Sequence, residues 1–171
     1  GPIGLLAGMI AQAYGAHAIL LDLVQERLDF AKELGIEYVI NSSSEDPEGR
    51  VREITGGVMA QQVMECSGAN AAILSTLKLV SNAGRITLTG WPKNETPIPT
   101  DVITKKEVDI RGARTSAGEF EEAIELIYTR RVDVQKILPK TISLEEAPET
   151  VIDIEKNPGN YMKVVVNVDP D

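Results

Sequence analysis

Strand and helix signals alternate along all 171 residues, and that alternation restricts the fold more than any other feature. Short apolar runs bounded by turn residues predict strands at residues 17–21, 38–40, 62–66, 85–89, 108–114, 138–142 and 162–168. Helical patterns lie between them, at residues 5–14, 24–34, 46–54 and 71–80, with one turn at 102–106. Val24, Leu28, Ala31 and Leu34 share one helix face, and Gly35 marks its end. Asp46 caps the next helix, Pro47 opens it and Gly56-Gly57 stop it. Ser116-x-x-Glu119 and Ser143-x-x-Glu146 are capping boxes for two more, ending near Arg130 and Asn157, with Pro148 in the first turns of the second. Asn82-Ala83-Gly84 reads as a turn, and residues 92–100, with Pro92, Pro97 and Pro99, as a loop. Strand–helix alternation implies a mostly parallel sheet covered on both faces by helices. Ligands of such sheets bind beyond the carboxyl ends of the strands. Asp22, Ser67-Gly68, Gly90-Trp91 and Arg114 should therefore line one rim.

The first twenty-two residues carry the most chemistry. Gly1-Pro2-Ile3-Gly4 reads as part of a glycine-rich turn, followed by a helix, a strand and Asp22 at the strand tip. A turn without side chains lets a pyrophosphate approach the backbone, and the helix offers it free N–H groups and a positive dipole end. An acid on the next strand suits a ribose 2′-OH. This is a dinucleotide-binding arrangement lacking the first glycine of G-x-G-x-x-G and the strand before it. The competing readings are an exposed turn acid at Asp22 and a secretory signal. Against the signal, the stretch has no basic leader, and Gln12 and His17 interrupt its apolar run, which also makes it a poor membrane span.

Charge and cysteine content narrow the classes. Seventeen Lys and Arg against 26 Asp and Glu leave a net charge of −9, which argues against nucleic acid or an anionic membrane as partner. The single cysteine, Cys66, rules out an internal disulfide and suits a reducing, cytoplasmic compartment. It reads as a small buried side chain rather than a reactive thiol. One His and one Cys make no usual zinc site, so no metal ligands are expected, and His17 reads as structural.

Five motifs stand in register: Gly-Pro-Ile-Gly-Leu at 1–5, Asp22 with Arg27, Glu65-Cys66-Ser67-Gly68, Gly84-Arg85-Ile86 and Ile110-Arg111-Gly112. Together they resemble the coenzyme half of the zinc-containing medium-chain dehydrogenases, in the sorbitol, threonine and sugar-acid branch. The resemblance implies an α/β fold with a doubly wound, mostly parallel, Rossmann-like sheet whose central first strand is missing from this chain. It divides the chain into a dinucleotide-binding domain over 1–142 and a helix and strand over 143–171 that return to the catalytic domain. It implies NAD contacts at Gly1, Pro2, Ile3, Gly4, Asp22, Arg27, Ser67, Thr89, Gly90, Trp91, Ala113 and Arg114. For Arg27, pairing with Asp22 or Glu26 is the rival reading; for Arg114, a solvated strand end. No catalytic residue is expected in this chain, because the family's zinc ligands lie in an N-terminal domain absent here. The parent would transfer hydride between a polyol or sugar-acid alcohol and NAD, and this chain alone would be inactive. Residues 108–114 would form the edge of a homodimer. An NAD(H)-sensing module and an S-adenosylmethionine-dependent methyltransferase are the alternatives. The strand slot is expected to be filled either by a segment upstream of Gly1 or by residues 163–168, lying beside 62–66 or 17–21.

Overall fold

The computed structural model describes residues 1–137 and 140–168. They form two compact units: Gly1–Val39 with the segment from Glu119 onward, and Ile40–Gly118.

In the first unit, α1 (Pro2–Ala13) begins earlier than expected, directly at Pro2, whose missing N–H is not needed there. Its Leu5 is buried with Ala31, Ile36 and Ile137, and Leu6, Met9, Leu20, Phe30 and Met162 close the cluster. Strand β1 (Ile19–Asp22) pairs with β2 (Tyr38–Asn41), whose last two residues fall in the second unit. Helix α2 (Gln25–Glu33) connects them and stops at Gly35, which takes a left-handed φ of +91°.

The second unit is built on a parallel ladder in the order β3 (Ala60–Glu65), β4 (Val80–Leu88), β5 (Asp109–Gly112). It is preceded by α3 (Pro47–Ile54), capped as expected: the Asp46 carboxylate accepts from the N–H groups of Glu48 and Gly49. Helix α4 (Asn70–Leu79) leads from β3 to β4, and α5 (Thr100–Lys106) leads to β5. Leu77, Val80, Ile86 and Val108 form the core. Lys106 donates from Nζ to the carbonyls of Leu77 (2.7 Å) and Val80 (2.9 Å), closing the carboxyl end of α4, and burial pushes its pKa down.

Two expectations change here. The turn at Asn82-Ala83-Gly84 lies inside β4: Ala60 faces Val80 while Gln62 already faces Arg85, so Ser81–Gly84 form a bulge, with Ala83 at φ +53°. Strand β5 stops at Gly112 rather than residue 114, although Ala113 still donates to Leu88 O at 2.9 Å.

The remainder of the first unit is α6 (Phe120–Tyr128), β6 (Lys140–Ser143), α7 (Ala147–Lys156) and β7 (Val164–Asn167). The Ser143 box forms: Ser143 N donates to Glu146 Oε2 at 2.8 Å and Glu146 N to Ser143 Oγ at 3.4 Å. The Ser116 box does not open a helix. Thr115 (φ +56°) and Gly118 (φ +112°) turn the chain, and α6 begins only at Phe120. Residues 138 and 139, expected in a strand, lie outside the described residues; so do 169–171.

The tail does not fill the slot. Strand β7 pairs in parallel with β6, Lys140 opposite Val164 through Ser143 opposite Asn167. The reason is local: β6–α7–β7 is a complete crossover unit, and its short loop costs less closure entropy than reaching residues 62–66 or 17–21. The class is nonetheless α/β with parallel ladders. The ladders are β1-β2, β3-β4-β5 and β6-β7.

Candidate functional site

In the first unit, three expected residues converge at the end of β1. Asp22 Oδ1 accepts from the backbone N–H of Leu23 (2.8 Å) and Val24 (3.1 Å), a turn that fixes the carboxylate at the strand tip. Its Oδ2 lies 3.1 Å from the backbone nitrogen of Gly1 and 3.9 Å from Arg27 Nη1. Arg27 thus pairs with Asp22, one of the partners its rival reading named. No side chain caps the N-terminus of α1, and Ile3 beside it is 57% exposed, so the first-turn N–H groups of Ile3 and Gly4 lack a side-chain acceptor. A carboxylate and a helix start close to each other can take the two ends of a ribose phosphate: hydroxyls on the acid, anion on the amides. These residues fit a dinucleotide.

In the second unit, the ends of β3 and β4 are tied together by one side chain that the sequence reading did not single out. Glu65 is 4% exposed. Its Oε1 accepts from Ser67 N (2.8 Å), Ser67 Oγ (2.5 Å) and Gly68 N (3.1 Å), and its Oε2 from Gly68 N (3.0 Å). Its carbonyl accepts from Thr89 N (2.9 Å), Gly90 N (3.1 Å) and Thr89 Oγ1 (2.7 Å). An acid at the end of a strand within Glu-x-Ser-Gly was the available signal. The loops meet backbone to backbone: a Cβ on Gly90 would lie 2.1 Å from Gly68 N, and one on Gly68 (φ +72°) would lie 2.5 Å from Trp91 O. Only glycine fits at either position.

Beside this junction is a pocket of about 320 Å³ lined by Ser67, Gly68, Asn70, Trp91 and Lys93 among others. Asn70 Nδ2 donates to Glu95 O (2.9 Å) and Thr96 Oγ1 (2.7 Å), holding the proline-rich loop as its wall. Trp91 is 76% exposed, and the Arg114 guanidinium sits 4.8 Å from its ring centroid. Ser67, Thr89, Gly90, Trp91, Ala113 and Arg114 are therefore all at the carboxyl end of the ladder. The Thr89 hydroxyl is spent inward on Glu65. Burial pushes the Cys66 thiol up, and the Glu65 charge adds to it, which suits an inert side chain. A larger open cleft of about 830 Å³ lies at the opposite, amino end of β3 and β4. Two of its cations are engaged, Arg52 with Glu48 and Lys106 with the carbonyls of Leu77 and Val80.

Among the described residues no three His, Cys, Asp or Glu side chains gather as a metal-holding group. No helix among them is long and apolar enough to cross a membrane.

Comparison with known proteins agrees with these features. An uncharacterized zinc-type alcohol dehydrogenase-like protein of Haemophilus influenzae is 51% identical over 164 residues, covering 96% of this chain and 48% of the relative. Human sorbitol dehydrogenase is 30% identical over 173 residues, covering 99% of this chain and 48% of that enzyme. An alcohol dehydrogenase of E. coli CFT073, solved with the cofactor NADH, superposes with a TM-score of 0.86 at 25% identity, covering 98% of this chain and 50% of that one. The chain spans about half the length of the curated relatives it matches. Residues 2–129 match the zinc-binding dehydrogenases, the family to which this chain belongs.

Proposed function

We propose that this chain is the NAD-binding part of an oxidoreductase that moves hydride between NAD and a secondary alcohol of a polyol or sugar acid. The observation that carries the reading is the Asp22 carboxylate, fixed by two backbone N–H groups at the end of β1 and set near the uncapped start of α1. On this reading Gly1, Pro2, Ile3 and Gly4 receive the pyrophosphate, Asp22 the adenosine ribose and Arg27 the adenine side. Ser67, Thr89, Gly90, Trp91, Ala113 and Arg114 border the nicotinamide ribose. The bound cofactor supplies the carbon that accepts hydride. This chain's residues bind and orient it, and its backbone groups at the strand ends hold the ring in place. The metal that polarises the alcohol belongs to residues outside this chain, so the chain alone is expected to bind NAD without turnover.

Relatives that include sorbitol dehydrogenase favour a polyol. We assign residues 1–142 to the cofactor domain and 143–171 to a segment serving the catalytic part. The protein works in the cytoplasm. Strand β5 is the outer member of its ladder, with Arg111 and Gly112 exposed, and supports a homodimer formed edge to edge over residues 108–114.

Calorimetry of the full chain with NADH, NADPH and S-adenosylmethionine tests the reading. A carboxylate at Asp22 repels a 2′-phosphate, so NADH should bind at least about tenfold tighter than NADPH, roughly 1.4 kcal/mol, and Asp22→Ala should narrow the gap. Equal binding of the two nicotinamide nucleotides, or binding of S-adenosylmethionine instead, would overturn the assignment.

A further inference from the structure

We infer that Glu65 is a positioning residue for the nicotinamide end of the cofactor, acting through the two loops it ties together. The inference rests on the NAD reading above and deepens it. Every group within hydrogen-bond reach of its carboxylate is a donor: Ser67 N, Ser67 Oγ and Gly68 N. The side chain is almost wholly buried. An acceptor-only group matches three converging donors, and an ionised carboxylate is the one side chain of this length that is acceptor-only. Its own carbonyl takes Thr89 and Gly90 from the neighbouring strand end. One residue therefore sets the separation of the Ser67-Gly68 loop from the Thr89-Gly90-Trp91 loop, and the pocket opens against both.

The tolerance in that separation is small, because the Gly68 and Gly90 backbones already touch too closely for any Cβ. Displacing Gly68 moves the wall on which Trp91, and Arg114 stacked over it, are held. The groups bonded to Glu65 are those of Ser67, Gly68, Thr89 and Gly90, none of which is in the set read as holding the adenosine end. The adenosine end of the cofactor should therefore be indifferent to it, and a nucleotide that ends at the first phosphate should not report on it.

Glu65→Gln is the direct perturbation. It keeps shape and volume but turns one acceptor into a donor facing Gly68 N or Ser67 N. One mispaired buried donor of this kind should raise the NADH dissociation constant about tenfold to a hundredfold. Binding is measured in the full chain by calorimetry with NADH and, separately, with AMP. The expected result is a large loss for NADH with AMP unchanged within about twofold, a discrimination that a general loss of folded protein does not produce. Unchanged NADH binding, or parallel loss of both nucleotides by folded variant, overturns the positioning role. If Glu65→Gln does not fold, Glu65→Asp keeps the acceptor-only chemistry but withdraws it by one methylene. It should weaken NADH by about three- to tenfold and spare AMP, and no change or a parallel loss overturns the role equally. Failure of the unmutated chain to bind NADH at all overturns the cofactor reading itself, and the role of Glu65 with it.

Discussion

Replacing Gly90 by alanine tests the junction on which the second half of the site depends. The added Cβ would lie 2.1 Å from Gly68 N, 2.5 Å from Glu65 Oε2 and 2.7 Å from Gly68 Cα, where ordinary contact begins at 3.4 Å. The obstacle is backbone, so no rotamer change relieves it. The two loops must part by the difference, 3.4 − 2.1 = 1.3 Å, which stretches the 3.0 and 3.1 Å bonds from Gly68 N to Glu65 beyond hydrogen-bond range. Overpacking of this kind costs about 1–3 kcal/mol. Depriving a buried carboxylate of a donor adds about 1–3 kcal/mol. A loss near 4 kcal/mol should lower the thermal midpoint by about 8–16 °C in a chain of this size. Circular dichroism melting measures it, with Gly112→Ala as the control: Gly112 has open space around its Cβ position, and that variant should stay within about 0.5 kcal/mol of the parent. If Gly90→Ala melts together with Gly112→Ala, the close approach of the two loops is wrong.

Three further outcomes are expected. Asp46→Ala removes the side chain that caps α3 and should cost about 0.5–2 kcal/mol in urea unfolding; an unchanged midpoint would deny the cap. Burial raises the Cys66 thiol, so its reaction with a disulfide reagent at mildly alkaline pH should be slower than that of free cysteine. A faster reaction would mark an activated thiol instead. The Arg85 guanidinium bonded to Asp109, with Arg111 beside it, holds that carboxyl below the ordinary carboxylate range. A pKa lower in the folded than in the unfolded chain gives stability that is complete above the unfolded value and lost as pH falls through the folded one. The β4–β5 edge should therefore loosen only in acid, and a carboxyl titration by NMR that places Asp109 at or above its ordinary value would refute the pairing.

What was legible in the sequence divides along the range of the interactions. Asp46 with Pro47, Gly35 and the Ser143–Glu146 box announce themselves because the groups that bond lie within a few residues of one another. The same box at Ser116 misleads: spacing states that a helix is able to start there, while Thr115 and Gly118, both at positive φ, turn the chain first. The bulge at residues 81–84 reads as a turn because its ladder partner is twenty residues away. The partner of β7 is likewise invisible locally, since three consecutive valines suit any parallel ladder. The placement of Asp22, Gly90, Trp91 and Arg114 at or just past strand ends is read from local pattern alone. Glu65 is not, because an acid on a strand reads as a solvent-facing residue until its donors, which belong to two different loops, are seen.

The bulge in β4 has a bearing on how this family fragment tolerates change in chain length. Pairing of β3 with β4 is keyed twice, once at Ala60 with Val80 and again from Gln62 with Arg85 through Glu65 with Leu88. Residues 81–84 lie between the two keys and are bound to neither. A residue gained or lost there is absorbed as slack before the second key engages, and the rim that holds Glu65, Thr89 and Gly90 keeps its register. Deletion or insertion elsewhere along β4 shifts that rim by one position and turns its side chains to the opposite face of the sheet. Length variation within this strand should accordingly be confined to those four positions.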